Sequence, residues 1–296
     1  MSTEQPVIGF IGLGLMGTGF TQRLLASGYR VVGFDTAPAR LSAASSNGVE
    51  TATSPADVFG RADVSLIAVT TPADVATIVE GEGGFLSAAA ARTKIVVDHS
   101  TTDVATTRRL ADSLAAEQGV GFVDAPVSGG PGAAETGTLA IMAGGTAQDI
   151  EAIRSVMERL GRFTHMGDVG AGQATKLVNQ ALVLTNYCVI AEALRIAEAY
   201  GIDAAKVPEA LAPGHAGSNL LAAIFPRMIT RDFAPRGYAR QVLKDLEMLN
   251  DAAHDKKLAL PMAGQALTLY RLLNAAGDGE LDGTAILKVW PDPSGR

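Results

Sequence analysis

Two groups of polar residues in an otherwise apolar chain have the types and spacing for chemistry. In KLVNQ, residues 176–180, Lys176 stands three and four positions before Asn179 and Gln180, which on a helix places one ammonium on the same side as two carboxamides. An amine that is neutral for part of a cycle accepts and returns a proton, and carboxamides orient a polar substrate. The competing reading is a lysine that lies along apolar surface and carries its charge out to water. In DAPVSGGPGAAETGTL, residues 124–139, Ser128, Gly129 and Gly130 offer a hydroxyl and successive main-chain N–H groups without bulky side chains. That shape cradles a carboxylate, and a glycine-rich connector with no ligand fits the same residues equally well. The four histidines are dispersed and form no metal cluster: His99 and His165 follow strand-like runs, His254 lies in a polar helical stretch, and His215, in the loop APGHAGSN, is a candidate substrate contact. The one cysteine, Cys188, sits in an apolar helical stretch, where it reads as a packing residue; it excludes an intramolecular disulfide and is compatible with a reducing compartment.

A third group lies at the start of the chain. GFIGLGLMGTGF, residues 9–20, sets Gly12, Gly14 and Gly17 in the spacing GxGxxG, between a short apolar run from Pro6 and a helical pattern over Met16 to Ser27 with Gly28 as its stop. YRVVGFD follows as a second strand and ends at Asp35, 18 residues beyond Gly17. The spacing alone is a weak signal, but in this strand–turn–helix–strand context it describes a dinucleotide site. Gly12 allows the tight turn, Gly14 lets a pyrophosphate approach the main chain, Gly17 lets helix and strand close up, and Asp35 accepts hydrogen bonds from the adenosine ribose. Leu13 and Met16 within the turn, and Thr70 and Thr71 just past the run VSLIAV, are counted with the cofactor-binding residues. Asp35 is followed by Thr36, with no arginine until Arg40, so a 2′-phosphate would meet a carboxylate without a neighbouring cation. NAD is therefore expected in preference to NADP.

These residues need a scaffold. Strand-like runs recur at VSLIAV (64–69), KIVVD (94–98), GFVD (121–124), TLAIMAG (138–144) and RFTHM (162–166), with helical patterns such as 103–118 and 147–160 between them. The alternation predicts a mostly parallel α/β sheet with helices on both faces over residues 1–168. From about Gln173 to Tyr200 runs a helical pattern apolar on nearly every face, which predicts a helix buried all round. Residues 169–296 read as that helix plus an all-α domain, broken at Pro208 and at residues 212–219, 234–237 and 275–283. With 296 residues, 47% hydrophobic and 19% charged, the composition is that of a globular protein of about two domains. A net charge of −7 argues against a nucleic-acid partner. No uninterrupted apolar run reaches the ~18 residues of a membrane span, and MSTEQP lacks the features of a secretory signal, so a cytoplasmic location without membrane attachment is expected.

GFIGLGLMG, VDHST (97–101), DAPVSGG (124–130), GAGQATKLVNQ (170–180) and VLKDLEML (242–249) occur in the order seen in the β-hydroxyacid dehydrogenase family, and the resemblance covers nearly the whole chain. It implies an N-terminal Rossmann domain, a long interdomain helix, a helical C-terminal domain and homodimers or homotetramers. It further implies that Lys176 is the catalytic acid/base, and that Ser128, Gly129 and Gly130 hold the carboxylate of a small hydroxy acid. Thr101 would lie beside the nicotinamide ribose, and Lys244 would contact the cofactor from the second domain. Many members carry two asparagines where this chain has Asn179 and Gln180, which leaves open which amide meets substrate. The NQ pair and GHAGSN look most like the tartronate semialdehyde reductase and threonate dehydrogenase branches, whose polar loops suit a hydroxylated acid. An imine reductase on the same scaffold, or a cofactor-binding interaction protein without catalysis, are the alternatives; the retained lysine speaks against both, and the lack of a basic appendage against the second.

Overall fold

In a computed structural model describing residues 5–291, strand and helix alternate as far as Gly167, and the chain is helical from there on. The strands are β1 (Ile8–Ile11), β2 (Val31–Phe34), β3 (Glu50–Thr51), β4 (Val64–Ile67), β5 (Ile95–Asp98), β6 (Gly121–Asp124), β7 (Val127–Ser128), β8 (Leu139–Gly144) and β9 (Gly161–Gly167). Their order is β3-β2-β1-β4-β5-β6 with every pair parallel. β8 then runs antiparallel to β6 and β7 and parallel to β9. Side chains alternate between the two faces: Ile8, Phe10, Val31, Leu66, Ile95 and Val97 enter one apolar core, while Ile11, Val32, Ile67 and Val96 enter another. A strand covered on both faces has to be apolar at every position, which is why these four-residue runs carry almost no polar side chains.

The helices that cover the sheet are α1 (Leu15–Ala26), α2 (Pro38–Ser46), α3 (Pro55–Arg61), α4 (Pro72–Glu80), α5 (Val104–Gln118), α6 (Gly130–Thr136) and α7 (Ala147–Leu160). Their starts are written locally. Ser54, Thr71, Asp103 and Thr146 each accept a main-chain N–H of the first turn, and proline stands at the start of α2, α3 and α4. α5 ends at Gly119 in the left-handed conformation.

The remaining helices are α8 (Ala171–Ala199), α9 (Val207–Leu211), α10 (Asn219–Ile229), α11 (Ala239–Asp255) and α12 (Pro261–Ala275). The chain divides into two compact units that part between Lys176 and Leu177, within α8. The second unit has its own core, in which Leu184, Cys188 and Leu194 of α8 meet Phe225, Leu246, Tyr270 and Ile286. Arg227 pins it: Nη1 donates to Asp282 Oδ1 at 3.0 Å and Nη2 to the carbonyl oxygen of Ala234 at 2.6 Å. Asp282 also accepts from Arg236 N at 2.7 Å and from Thr284 Oγ1 at 2.8 Å.

The expectation that α8 is buried on every face is corrected. Val178, Leu182, Val189 and Ile196, at helical spacing along one side, are 61%, 63%, 48% and 60% exposed. Composition shows that a face is apolar, but only the packing shows whether a neighbour covers it. By length and composition α8 is also apolar enough to cross a membrane, a test that the core helices of soluble proteins pass as well.

Candidate active site

The glycine turn joins β1 to α1, and its three glycines are required for different reasons. Gly12 has φ +95°, and a Cβ there would lie 2.2 Å from the carbonyl oxygen of Ala68; one on Gly17 would lie 1.9 Å from the carbonyl oxygen of Gly12. Both residues are thus fixed by packing inside the protein. A Cβ on Gly14 would meet nothing nearer than Arg40, at 3.8 Å. The protein leaves that space open beside the start of α1, which is the cradle a pyrophosphate needs. Asp35 is 5% exposed and closes the turn from β2: Oδ2 accepts Leu13 N and Oδ1 accepts Ala37 N, each at 2.8 Å. The residues present therefore fit a dinucleotide. Met16 is half-buried against the first core, Thr70 is exposed, and the Thr71 hydroxyl is engaged in a capping box with Asp74 at the start of α4.

The expectation of no cation beside Asp35 is corrected. Arg40 Nη1 lies 3.4 Å from Asp35 Oδ2. Five residues of separation looked remote, but α2 begins at Pro38 and its first turn swings Arg40 back over the carboxylate.

At the same carboxyl end of the parallel strands, β5 and β6 finish side by side with Asp98 opposite Asp124. Asp98 accepts Ser100 N at 2.9 Å and Thr102 Oγ1 at 3.0 Å. Asp124 accepts the N–H groups of Gly170 and Gln173 at the start of α8. Burial pushes the Asp124 carboxyl up to about 6, with Asp98 acting in the same direction and the N–H donors opposing. Next to Asp98 in sequence, His99 is buried and stacked on Phe20 at 4.8 Å, with Nδ1 2.7 Å from the carbonyl oxygen of Ala125. A carbonyl only accepts, so Nδ1 carries the proton and Nε2 is left buried without a partner. Burial lowers the His99 pKa to about 4, against the pull of that carbonyl. Thr101, in the same segment, is half-buried.

Lys176 stands on the second turn of α8 and is 8% exposed. Its Nζ donates to the carbonyl oxygen of Val127 at 2.7 Å, one residue before Ser128. Gly129 and Gly130 follow with φ +133° and +72°, and a Cβ at Gly130 would meet nothing within 4 Å. The structure thus brings the lysine to the serine–glycine loop, although the two are about fifty residues apart in sequence.

In the second unit, Asn179 Nδ2 donates to Gln180 Oε1 at 2.8 Å, and Gln180 Nε2 donates to Asp245 Oδ2 of α11. Lys244 Nζ lies 2.9 Å from Asp245 Oδ1, close enough for an ion pair although not aligned as a hydrogen bond. A carboxylate only accepts, so Asp245 sets the direction of both amides and leaves Asn179 Oδ1 as an acceptor. His215 is exposed, in the loop between α9 and α10. Sequence reasoning assigned no role to Asp124, Gln173 or Asp245. The first two lie within motifs quoted above and Asp245 follows Lys244, but their partners are 46 to 73 positions away.

Residues 7–212 match the family described as the NAD binding domain of 6-phosphogluconate dehydrogenase, and residues 170–290 match that described as NAD-binding of NADP-dependent 3-hydroxyisobutyrate dehydrogenase. The chain belongs to the β-hydroxyacid dehydrogenase family. Within that family, 2-(hydroxymethyl)glutarate dehydrogenase of Eubacterium barkeri is 35% identical over 291 residues, which cover 97% of this chain and 96% of that one. A crystal structure of 3-hydroxyisobutyrate dehydrogenase from Salmonella typhimurium matches with a TM-score of 0.86 at 26% identity, over 97% of this chain and 100% of that one. The Mycobacterium tuberculosis 3-hydroxyisobutyrate dehydrogenase with L-serine matches with a TM-score of 0.81 at 30% identity, over 96% and 99%. As a β-hydroxyacid dehydrogenase, the chain is an oxidoreductase that acts on hydroxyl donors with NAD(P).

Proposed function

We propose that the enzyme oxidises, reversibly, the alcohol of a small acid whose hydroxyl stands on the carbon β to a carboxylate, with Lys176 as general acid/base. The observation that carries this reading is the buried Lys176 Nζ held 2.7 Å from the carbonyl oxygen of Val127, beside Ser128. The substrates named for the relatives share one skeleton, a CH2OH group next to a carbon that bears a carboxylate, and they differ in the third substituent. Ser128 and the N–H groups of Gly129 and Gly130 hold that carboxylate. Lys176 takes the hydroxyl proton during oxidation and returns it during reduction. Asn179 and Gln180 orient the remainder of the substrate, His215 is a further candidate contact, and Thr101 and Lys244 serve the cofactor. The nicotinamide supplies the hydride acceptor, and the protein supplies position and protection from water.

The polar groups around Asn179 favour a hydroxylated three- or four-carbon acid, as in the tartronate semialdehyde and threonate branches, over 3-hydroxyisobutyrate. NAD is the preferred cofactor. The enzyme works in the cytoplasm as a homodimer or homotetramer, a state supported by the exposed apolar stripe of α8.

Lys176→Met is the test, run on a panel of glycerate, threonate, L-serine and 3-hydroxyisobutyrate and followed by NADH absorbance. Turnover on the best substrate falls by roughly 10²–10⁴, the contribution of a positioned proton-transfer group. That is roughly 3–5 kcal/mol of transition-state stabilisation. NADH affinity stays at the wild-type value, because the glycine turn and Asp35 lie in other segments. A folded Lys176→Met enzyme with near-wild-type kcat overturns the reading.

A further inference from the structure

Asp124, the last residue of β6, is fully buried and has no role in the chemistry assigned above. Its Oδ1 accepts Gly170 N at 2.7 Å and its Oδ2 accepts Gln173 N at 2.8 Å, two of the N–H groups that the start of α8 leaves without helical partners. The backbone is cleared for this carboxylate. A Cβ on Gly144 would approach Oδ1 to 2.6 Å, and one on Gly172 would approach Oδ2 to 2.8 Å. Three residues after Asp124 comes Val127, whose carbonyl oxygen receives Lys176, and then Ser128. Gln173 extends the clamp to the segment that follows β5: its Oε1 accepts Thr102 N at 3.1 Å and its Nε2 donates to the carbonyl oxygen of Ser100 at 2.9 Å.

We propose that Asp124 is a positioning residue, which fixes the start of α8 against the β6–β7 segment and thereby holds Lys176 Nζ beside Ser128. The proposal rests on the acid–base reading of Lys176. Burial outweighs the two N–H donors and raises the pKa of Asp124 to about 6. The ionised form is thus the costly one. It is also the form in which both oxygens accept, which is what two N–H donors require. The charged group that acts on it is Asp98 from β5; Arg108 on α5 donates its Nε to the carbonyl oxygen of Val169 at 3.2 Å, one residue before Gly170, and β8 presents Gly144, with no charge.

Asp124→Asn keeps the size of the side chain but turns an NH2 group towards one of the two donors. In this variant kcat falls by roughly 10–100-fold, the effect of a catalytic group displaced by about an ångström. NADH affinity, read by fluorescence titration, is unchanged. The wild-type kcat profile has an acid limb with an apparent pKa near 6 that the variant lacks. Unchanged kcat and pH profile, or a loss of NADH affinity equal to the loss of kcat, overturns the proposal. If Asp124→Asn does not fold, amide hydrogen exchange of the wild type decides. Protection of Gly170 and Gln173, corrected for intrinsic rates, rises as pH drops through about 6, because a carboxyl whose pKa is raised in the closed fold binds its proton more tightly there than in the opened one, and protection that is flat there overturns the clamp. Exchange does not depend on what Lys176 does, so an active Lys176→Met enzyme would remove the acid–base reading and leave this readout standing.

Discussion

Replacing His99 with asparagine removes a titration while keeping a hydrogen bond, since the asparagine Nδ2 stands where the imidazole Nδ1 donates to the carbonyl oxygen of Ala125. In the folded chain burial lowers the His99 pKa from 6.5 to about 4. A base with a depressed pKa contributes stability above its unfolded value and loses it as pH falls, because the unfolded chain takes up the proton first. At 1.36 kcal/mol per unit the shift amounts to about 3 kcal/mol, of which about 2 kcal/mol is lost between about pH 7 and about pH 4.5. Asp124 acts with the opposite sign over an overlapping range: its pKa rises from 3.8 to about 6, so its contribution is full at acid pH and is lost as pH rises through about 6. The two nearly cancel in the wild type, and the difference between wild type and variant isolates His99. Loss of the ring against Phe20 makes His99→Asn less stable by ~1–2 kcal/mol at neutral pH. That gap closes by about 2 kcal/mol on acidification, as measured by urea unfolding followed by far-UV circular dichroism at several pH values. A gap that stays constant with pH refutes the assignment of His99 as a buried neutral imidazole.

Two further outcomes follow from the ion pairs. With Asp35 tied into the turn, NAD gives a higher kcat/KM than NADP; Arg40 beside it keeps NADP usable, and Arg40→Ala widens the ratio by about tenfold, the worth of one charge-assisted contact to a phosphate. A preference for NADP refutes the reading of Asp35, and a ratio unchanged in the variant refutes that of Arg40. In the second unit, Arg227→Met leaves the buried Asp282 without its cation and destabilises the protein by roughly 3–5 kcal/mol in chemical unfolding, with Arg227→Met/Asp282→Asn recovering part of the loss. Wild-type stability of the single variant would show that the loop donors alone satisfy Asp282.

What was legible in the sequence was local. The spacing of Gly12, Gly14 and Gly17 fixes a turn whose geometry lies within six residues, and the four-residue apolar strands state that both of their faces are covered. The helix starts at Ser54, Thr71, Asp103 and Thr146 carry their own caps. What was not legible depends on a partner. β3 and β7 have two residues each, too few for an alternation to register. The apolar pattern of α8 does not distinguish the side facing Leu246 and Tyr270 from the side facing water. Arg40 over Asp35, Asp124 under α8 and Asp245 on Gln180 are pairings of polar groups, and periodicity records only which face a residue occupies. Lys176 and Ser128 could be nominated one by one, but their meeting at Val127 is a product of the fold.

The buried Cys188 has a practical consequence. It is the chain's one thiol, it packs in the core of the second unit beside Leu184 and Ala191, and burial pushes its pKa up to about 12. A thiol-specific reagent therefore meets no reactive thiolate in the folded protein, and modification has to wait for that core to open. The time course of labelling is then a clock for opening of the helical unit alone, since the sheet unit holds no sulfhydryl to contribute signal. The same silence makes the natural chain a ready background in which a cysteine placed on any exposed position carries a spectroscopic probe without prior removal of a native one.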